Sequence, residues 1–291
     1  MKKAIVLLII ITISIIIVVG EVVAQQAKEK LNFGIIDTDL AATPTEILEA
    51  CKPFERYISK RLNVDGNAII VHSVPEMIKL LNDGTIQFAY VSNLDYIRIK
   101  NELNIVPFAM VVKAGSNTYK ATFIVRQDSG LKELKDLKGK KFAYTTKHSA
   151  HGYIFPNLLI KERFNQPLES FFASTAITKK DSDGILSVLY KSTDVASVSN
   201  QTFDIMCELR PRIRREIISL QESKPFVQGP VFFYDKNIKD KTLIERLKKE
   251  ILQMDKISEG NQILLLFKVG GFIPAKDSDY NSLRTIFNSI F

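Results

Sequence analysis

The feature that most constrains this chain is a repeated order: a short apolar stretch, a polar loop, then an amphipathic segment carrying helix-start chemistry. LNFGII at 31–36 reads as a buried strand, and DTDLAA after it as a polar loop. Thr43-Pro44-Thr45-Glu46 then opens a helix. Thr43 caps it, Pro44 suits a first position that has no N–H bond to lose, and Glu46 completes a capping box. Ile47, Cys51, Phe54, Ile58 and Leu62 follow at helical spacing, so this helix buries one face. The order recurs with NAIIVH, PEMIKLLNDG, IQFAYVS and NLDYIRIKNE, and NIVPFAMVVK and YKATFIVR add strands. It restarts after Arg126 with LKELKDLKGK (surface helix and turn), KKFAYTT (strand), a helix from Gly152 to Phe164, and AITKKDSDGILSVLYKS (loop, then helix). DVASVS, NQTFDIMCEL and IISLQES continue as strand, helix and strand, and from Pro225 broken strand content leads into two final helices. Interleaved strands and helices require an α/β protein, most simply two lobes with the second inserted into the first. Ligands of such folds bind outside the carboxyl ends of the strands, which between two lobes is a cleft.

Lys2 and Lys3 precede a long apolar run from Ala4 to Val19, and Val22-Val23-Ala24 offers a cleavage site. Residues 1–24 therefore read as a secretory signal peptide or, given the length of the run, an uncleaved membrane anchor. No cysteine stands at the end of the run to carry a lipid, and either way the remainder is expected to be periplasmic or otherwise extracytoplasmic. With 46% apolar and 25% charged residues, the whole chain has an ordinary globular composition, and the remainder is expected to be monomeric. The formal charge of +8 is spread along the chain; it favours anionic partners but forms no basic stripe for nucleic acid. Cys51 and Cys207 both fall within apolar helical patterns and read as buried free thiols.

The stretch KFAYTTKHSAHGYIFPNLLI holds His148 and His151, three apart. On a helix that spacing suits a metal pair, but the only other histidine, His72, is remote, and neither HExxH nor CxxC occurs. Ser149, His151 and Asp181 have the composition of an acyl-transfer triad without a GxSxG elbow. A simpler reading needs only the strand-to-helix junction. The backbone N–H groups of Ala150, His151 and Gly152 point out of a helix start whose dipole favours an anion, while Ser149 either caps the helix or binds that anion. No cofactor or metal is expected, and no catalytic residue.

The ordered set Tyr119, Arg126, Asp128-Ser129-Gly130, Asp136-Leu137-Lys138-Gly139-Lys140, Phe142-Ala143, Ser149-Ala150-His151-Gly152 and Pro156 resembles the phosphate, phosphite and phosphonate branch of periplasmic substrate-binding proteins of ABC transporters. DGTIQFAYVSNLDY and ILSVLYKSTDVASV extend the resemblance over nearly all of the mature chain. The resemblance implies a type 2 periplasmic binding fold: two α/β lobes joined by a two-stranded hinge, closing on a ligand. Lobe 1 is then 30–126 with 224–291, and lobe 2 is 127–223. It also implies a non-enzymatic receptor for a small phosphorus-containing oxyanion, delivering it to a permease. An anchored sensor or partner-binding protein of the same fold is the alternative.

By the same resemblance Tyr96 is the ligand-facing tyrosine. Tyr119, Ser92 and Asn93 are further candidates, as are Asp37 and Asp39 in the first loop, an acidic pair suited to a cationic group. Where the family has Ser-Thr-Ser-Gly, this chain keeps one hydroxyl, Ser149, and places Ala150 and His151 instead. Asp181 aligns where the family usually has a histidine, either to receive a ligand's ammonium or to pair with protonated His151.

Overall fold

The computed structural model describes residues 28–37 and 43–288. The leader (1–24) and Asp39 lie outside them. Among the described residues no helix is long and apolar enough to cross a membrane.

The first lobe begins with β1 (Phe33–Ile36), α1 (Pro44–Leu62), β2 (Ala68–Val71), α2 (Val74–Asn82), β3 (Phe88–Tyr90), α3 (Asn93–Glu102) and β4 (Val106–Val112). The expected capping box is formed: the Glu46 N–H donates to the Thr43 hydroxyl, and the Thr43 N–H donates to the Glu46 carboxylate at 2.7 Å. Ile47, Cys51, Phe54, Ile58 and Leu62 are all buried, as their spacing requires. The chain then crosses on β5 (Thr118–Tyr119) into the second lobe. That lobe comprises β6 (Ala121–Arg126), β7 (Lys141–Tyr144), α4 (Phe155–Phe164), α5 (Leu168–Phe171), β8 (Ser174–Ile177), α6 (Asp181–Leu189), β9 (Val195–Ser199), α7 (Asn200–Leu209), α8 (Pro211–Glu216) and β10 (Ile217–Glu222). It returns on β11 (Phe226–Val227) and completes the first lobe with β12 (Pro230–Phe233), α9 (Lys241–Leu252), α10 (Ser258–Leu266), β13 (Gly271–Pro274) and α11 (Asn281–Asn288).

The first sheet has the order β13-β4-β12-β3-β1-β2, the second β10-β6-β9-β7-β8. In each, parallel pairs (β1 with β2 and β3, β7 with β8 and β9) form the half whose strand ends face the cleft. The hinge is the antiparallel pair β5 and β11, with Tyr119 opposite Phe226 and Thr118 opposite Val227. Each sheet carries a separate apolar core on each face. Cys51 and Cys207 are free and buried in different lobes, and burial, followed by the nearby Glu55, pushes the Cys51 thiol up to about 12.

The sequence boundary needs one correction. Ala121–Arg126, assigned above to lobe 1, pairs antiparallel with β9 and β10 in the second sheet, so the crossing precedes it. The apolar pattern of ATFIVR marks a buried strand without saying which sheet it joins; the short hinge strand before it does. Five elements were not anticipated: the short helices α5 and α8; β8, whose residues are all exposed; α10; and β13, an edge strand of four residues ending in Pro274. LKELKDLKGK contributes only a 3-10 turn, Leu134–Leu137.

Candidate ligand cleft

A cleft of about 750 Å³ opens between the lobes, of a size to take a small solute. It lies where β1, β3, β7, β8 and β9 end, the strand-terminus position expected of an open α/β fold.

The second-lobe wall is built on the stretch that raised the metal and triad questions. After β7 the chain turns through Thr145 and Thr146, and Ser149 starts a helix whose first turn, Ala150–Ile154, is a π-helix running directly into α4. The Ser149 hydroxyl accepts from the Gly152 N–H at 2.9 Å, and the Ser149 carbonyl accepts from Tyr153 and Ile154. The N–H groups of Ala150 and His151 carry no hydrogen bond among the described residues, and both residues line the cleft. Unbonded donors at a helix start, in line with its dipole, favour an anion. Gly152 is needed for closeness: a Cβ there would lie 2.9 Å from the Thr145 hydroxyl and 3.0 Å from that of Ser149. Its N–H is spent on Ser149, so of the three amides expected to face an anion, two remain.

The two histidines part company. His148 Nδ1 lies 3.0 Å from Arg98 Nη1, a contact that crosses the cleft to α3. The His151 ring stands between Ser149 Oγ, 3.3 Å from Nδ1, and Asp181 Oδ1, 3.0 Å from Nε2. Tyr119 meets its edge, with ring centroids 5.5 Å apart. Asp181 accepts from the Ser199 N–H through its other oxygen at 2.9 Å. Burial pushes this carboxyl up, but the facing His151 and the Ser199 bond outweigh it and hold it below the usual carboxylate range. Ser149, His151 and Asp181 are therefore in line, though the serine oxygen is already a helix cap. Among the described residues no group of three or more His, Cys, Asp or Glu side chains could hold a metal.

The first-lobe wall is the β3–α3 junction. Ser92 lines the cleft and caps α3, accepting from the Asp95 N–H at 3.2 Å and donating to its carboxylate at 2.9 Å. Asn93 also lines it, but its amide donates to the Tyr119 hydroxyl at 3.1 Å and the Val227 carbonyl at 2.7 Å, fastening the helix to the hinge.

Two expected residues fall elsewhere. Tyr96 is fully buried and does not line the cleft; its hydroxyl donates to Asp277 at 2.6 Å on the far side of α3. In the fourth helical position it points into the lobe core against Phe232 and Tyr280, and Tyr90 of β3 is the tyrosine that lines the cleft from this lobe. Asp37 pairs with His72 Nδ1 at 2.8 Å at the ends of β1 and β2, outside the cleft lining.

Other lining groups were not singled out: Thr145 and Thr146, Lys179 and Lys180 at the start of α6, Lys113, Lys268 and Gln201. Gln201 braces the hinge, donating to the Lys113 and Thr118 carbonyls and accepting from Gln228. The Lys179-Lys180 pair had a readable signal, two adjacent cations just before a helix start.

Two α/β lobes, a two-stranded hinge and a cleft at the strand ends define a type 2 periplasmic binding protein. The chain belongs to the family of periplasmic substrate-binding proteins of phosphonate ABC transporters, whose family model matches residues 40–280; these are solute-binding proteins and not enzymes. The phosphonates-binding periplasmic protein of Escherichia coli (strain K12) is 25% identical over 224 residues, which are 75% of this chain and 64% of that protein. The match therefore spans somewhat less than two thirds of the relative. A binding protein component of an ABC phosphonate transporter from Pseudomonas aeruginosa shares the fold with a TM-score of 0.69 at 19% identity, over 89% of this chain and 86% of that one. A Prochlorococcus marinus protein solved in complex with methylphosphonate gives 0.72 at 17%, over 90% and 98%.

Proposed function

We propose that this chain is an extracytoplasmic receptor that closes its lobes on a small phosphorus-containing oxyanion, a phosphonate or phosphate ester, and delivers it to an ABC permease in the membrane. The observation that carries this reading is the convergence, on one cleft wall, of the Ala150 and His151 N–H groups with Lys179 and Lys180. Amides at a helix start and nearby ammonium groups are the donor set an oxyanion needs. Ser149, Ser92 and Tyr119 supply further polar surface, Gly152 sets the close approach beneath, and the cleft has room for a small solute. The family's relatives named for phosphonates support the ligand class. Residues 1–24 act as the export signal in this reading, and the receptor works as a monomer.

The test is a thermal-shift series on the mature chain with methylphosphonate, a phosphate monoester, inorganic phosphate, sulfate and a neutral sugar. A true ligand at a hundredfold excess over its Kd stabilises the folded form by about 2.7 kcal/mol. The phosphorus oxyanions are expected to raise Tm and the sugar to leave it unchanged. No shift with any phosphorus oxyanion overturns the ligand assignment.

A further inference from the structure

The hydrogen-bond chain behind the cleft wall has a fixed number of protons, and in the empty cleft it leaves none for a ligand. Asp181 is acceptor-only when ionised, and each of its oxygens already faces a donor, His151 Nε2 and the Ser199 N–H. The proton of a neutral His151 therefore sits on Nε2, leaving Nδ1 as a bare lone pair. The group in front of that lone pair is Ser149 Oγ at 3.3 Å. One Ser149 lone pair is taken by the Gly152 N–H, and its single O–H turns inward to Nδ1. So arranged, the one hydroxyl left at this helix start cannot donate to an oxyanion.

A proton added at His151 Nδ1 reverses this. The N–H then donates to the second lone pair of Ser149 Oγ, the Ser149 O–H swings out towards the cleft, and the imidazolium stays paired with Asp181. We propose that oxyanion binding at this cleft is coupled to the uptake of one proton by His151, which converts Ser149 from an inward donor to a ligand donor; the inference rests on the oxyanion reading above. The proton balance is simple. A dianionic ligand draws the proton from solvent, whereas a monoanionic one supplies it from its own P–OH and is held as the dianion. The charged and titratable groups facing His151 fit this coupling. From α6 comes Asp181, with Lys179 and Lys180 just before it; from β5 comes Tyr119 at the ring edge; from the Ser149 loop comes His148, which is turned to Arg98.

The experiment is isothermal titration of the mature protein with methylphosphonate in two buffers of unlike ionisation enthalpy, above the ligand's second ionisation, at about pH 9. Wild type is expected to take up about one proton per ligand bound, with affinity falling about tenfold per pH unit. His151→Asn is expected to bind more weakly and take up almost none. Should that variant fail to fold, the imidazole nitrogen resonances of wild type give the same answer, since Nδ1 of one of the three histidines must pass from bare to protonated on saturation. Binding without proton uptake, or equal uptake by both proteins, overturns the coupling and leaves the oxyanion reading standing. Absence of binding by methylphosphonate, phosphate and phosphate monoester alike overturns both.

Discussion

Tyr96 has no exposed surface, and its hydroxyl has one acceptor, an Asp277 oxygen 2.6 Å away that also receives Arg284 at 2.8 Å. Burial first, and then the bond to Asp277, push its phenol well above the ordinary range, so it stays protonated and donates to Asp277. Tyr96→Phe is expected to lower stability by about 1.5 to 3 kcal/mol, the worth of a bond to a charged acceptor. A shifted denaturation midpoint with unchanged methylphosphonate affinity checks this, and a loss of affinity would return Tyr96 to the site. Reading residues from the sequence succeeded where a local rule decides position: the Thr43 cap and the Ser149 helix start both depend on neighbours within three positions. It failed at Tyr96, because the side of α3 a residue faces is set by how that helix docks on Phe232 and Tyr280, more than a hundred residues away. Asp181 illustrates both outcomes. Pairing with His151 was one of two roles open to it, and only the fold brings α6 to the helix start.

Elements with a one-sided apolar stripe were legible, and those defined by pairing were not. The helix 44–62 and the strand at 106–112 carry their burial in their own spacing. β8 has four exposed residues, and β13 is four residues with a left-handed Gly271 at one end and Pro274 at the other; each exists because a neighbouring strand offers an edge. Sheet membership of β6 likewise follows from its partners. At its end, Arg126 holds the second lobe's edge together. Its guanidinium donates to Asp128 at 2.7 and 2.9 Å, to Glu216 at 2.9 Å and to the Leu189 carbonyl at 2.7 Å, joining β6, α8 and the end of α6. Arg126 holds the Asp128 carboxyl down to about 2, and Arg212 and Arg126 lower that of Glu216. A carboxyl depressed in the folded state stabilises above its unfolded value, about 3.9 for Asp, and that contribution is lost as pH falls through the folded value. Arg126→Gln is therefore expected to move the acid-unfolding limb to higher pH while changing stability much less in its pH dependence near neutrality. Acid titrations of variant and wild type followed by circular dichroism read this directly, and coincident acid limbs would show that the network does not act through these carboxyls.

At the scale of the whole molecule, the hinge and the cleft charges act together on an approaching solute. The cleft opening lies between lobes that contacts already tie to each other and to the hinge: Arg98 to His148, Asn93 to Tyr119, and Gln201 to the Lys113 carbonyl. Lys113, Lys179, Lys180 and Lys268 line that opening, against Asp95 and Asp181, and the chain as a whole carries a formal charge of +8. Asp181 faces His151 and Asp95 is buried beside Ser92, so the lysines set the sign of the field that an oxyanion meets at the mouth. Such a field steers association and is screened by salt. Raising ionic strength from about 0.01 M to about 0.15 M shortens the Debye length from about 30 Å to about 8 Å. The association rate for methylphosphonate is expected to fall over that range while the dissociation rate, set by short contacts inside the closed lobes, stays nearly constant. A Lys179→Gln, Lys180→Gln double variant is expected to flatten the salt dependence and also to weaken the complex, since both line the wall that carries the Ala150 and His151 amides. Lys268→Gln is expected to flatten the dependence alone. Stopped-flow binding at several salt concentrations separates the two effects. A salt-dependent dissociation rate with an unchanged association rate would place the lysines' role wholly in the bound state rather than in capture.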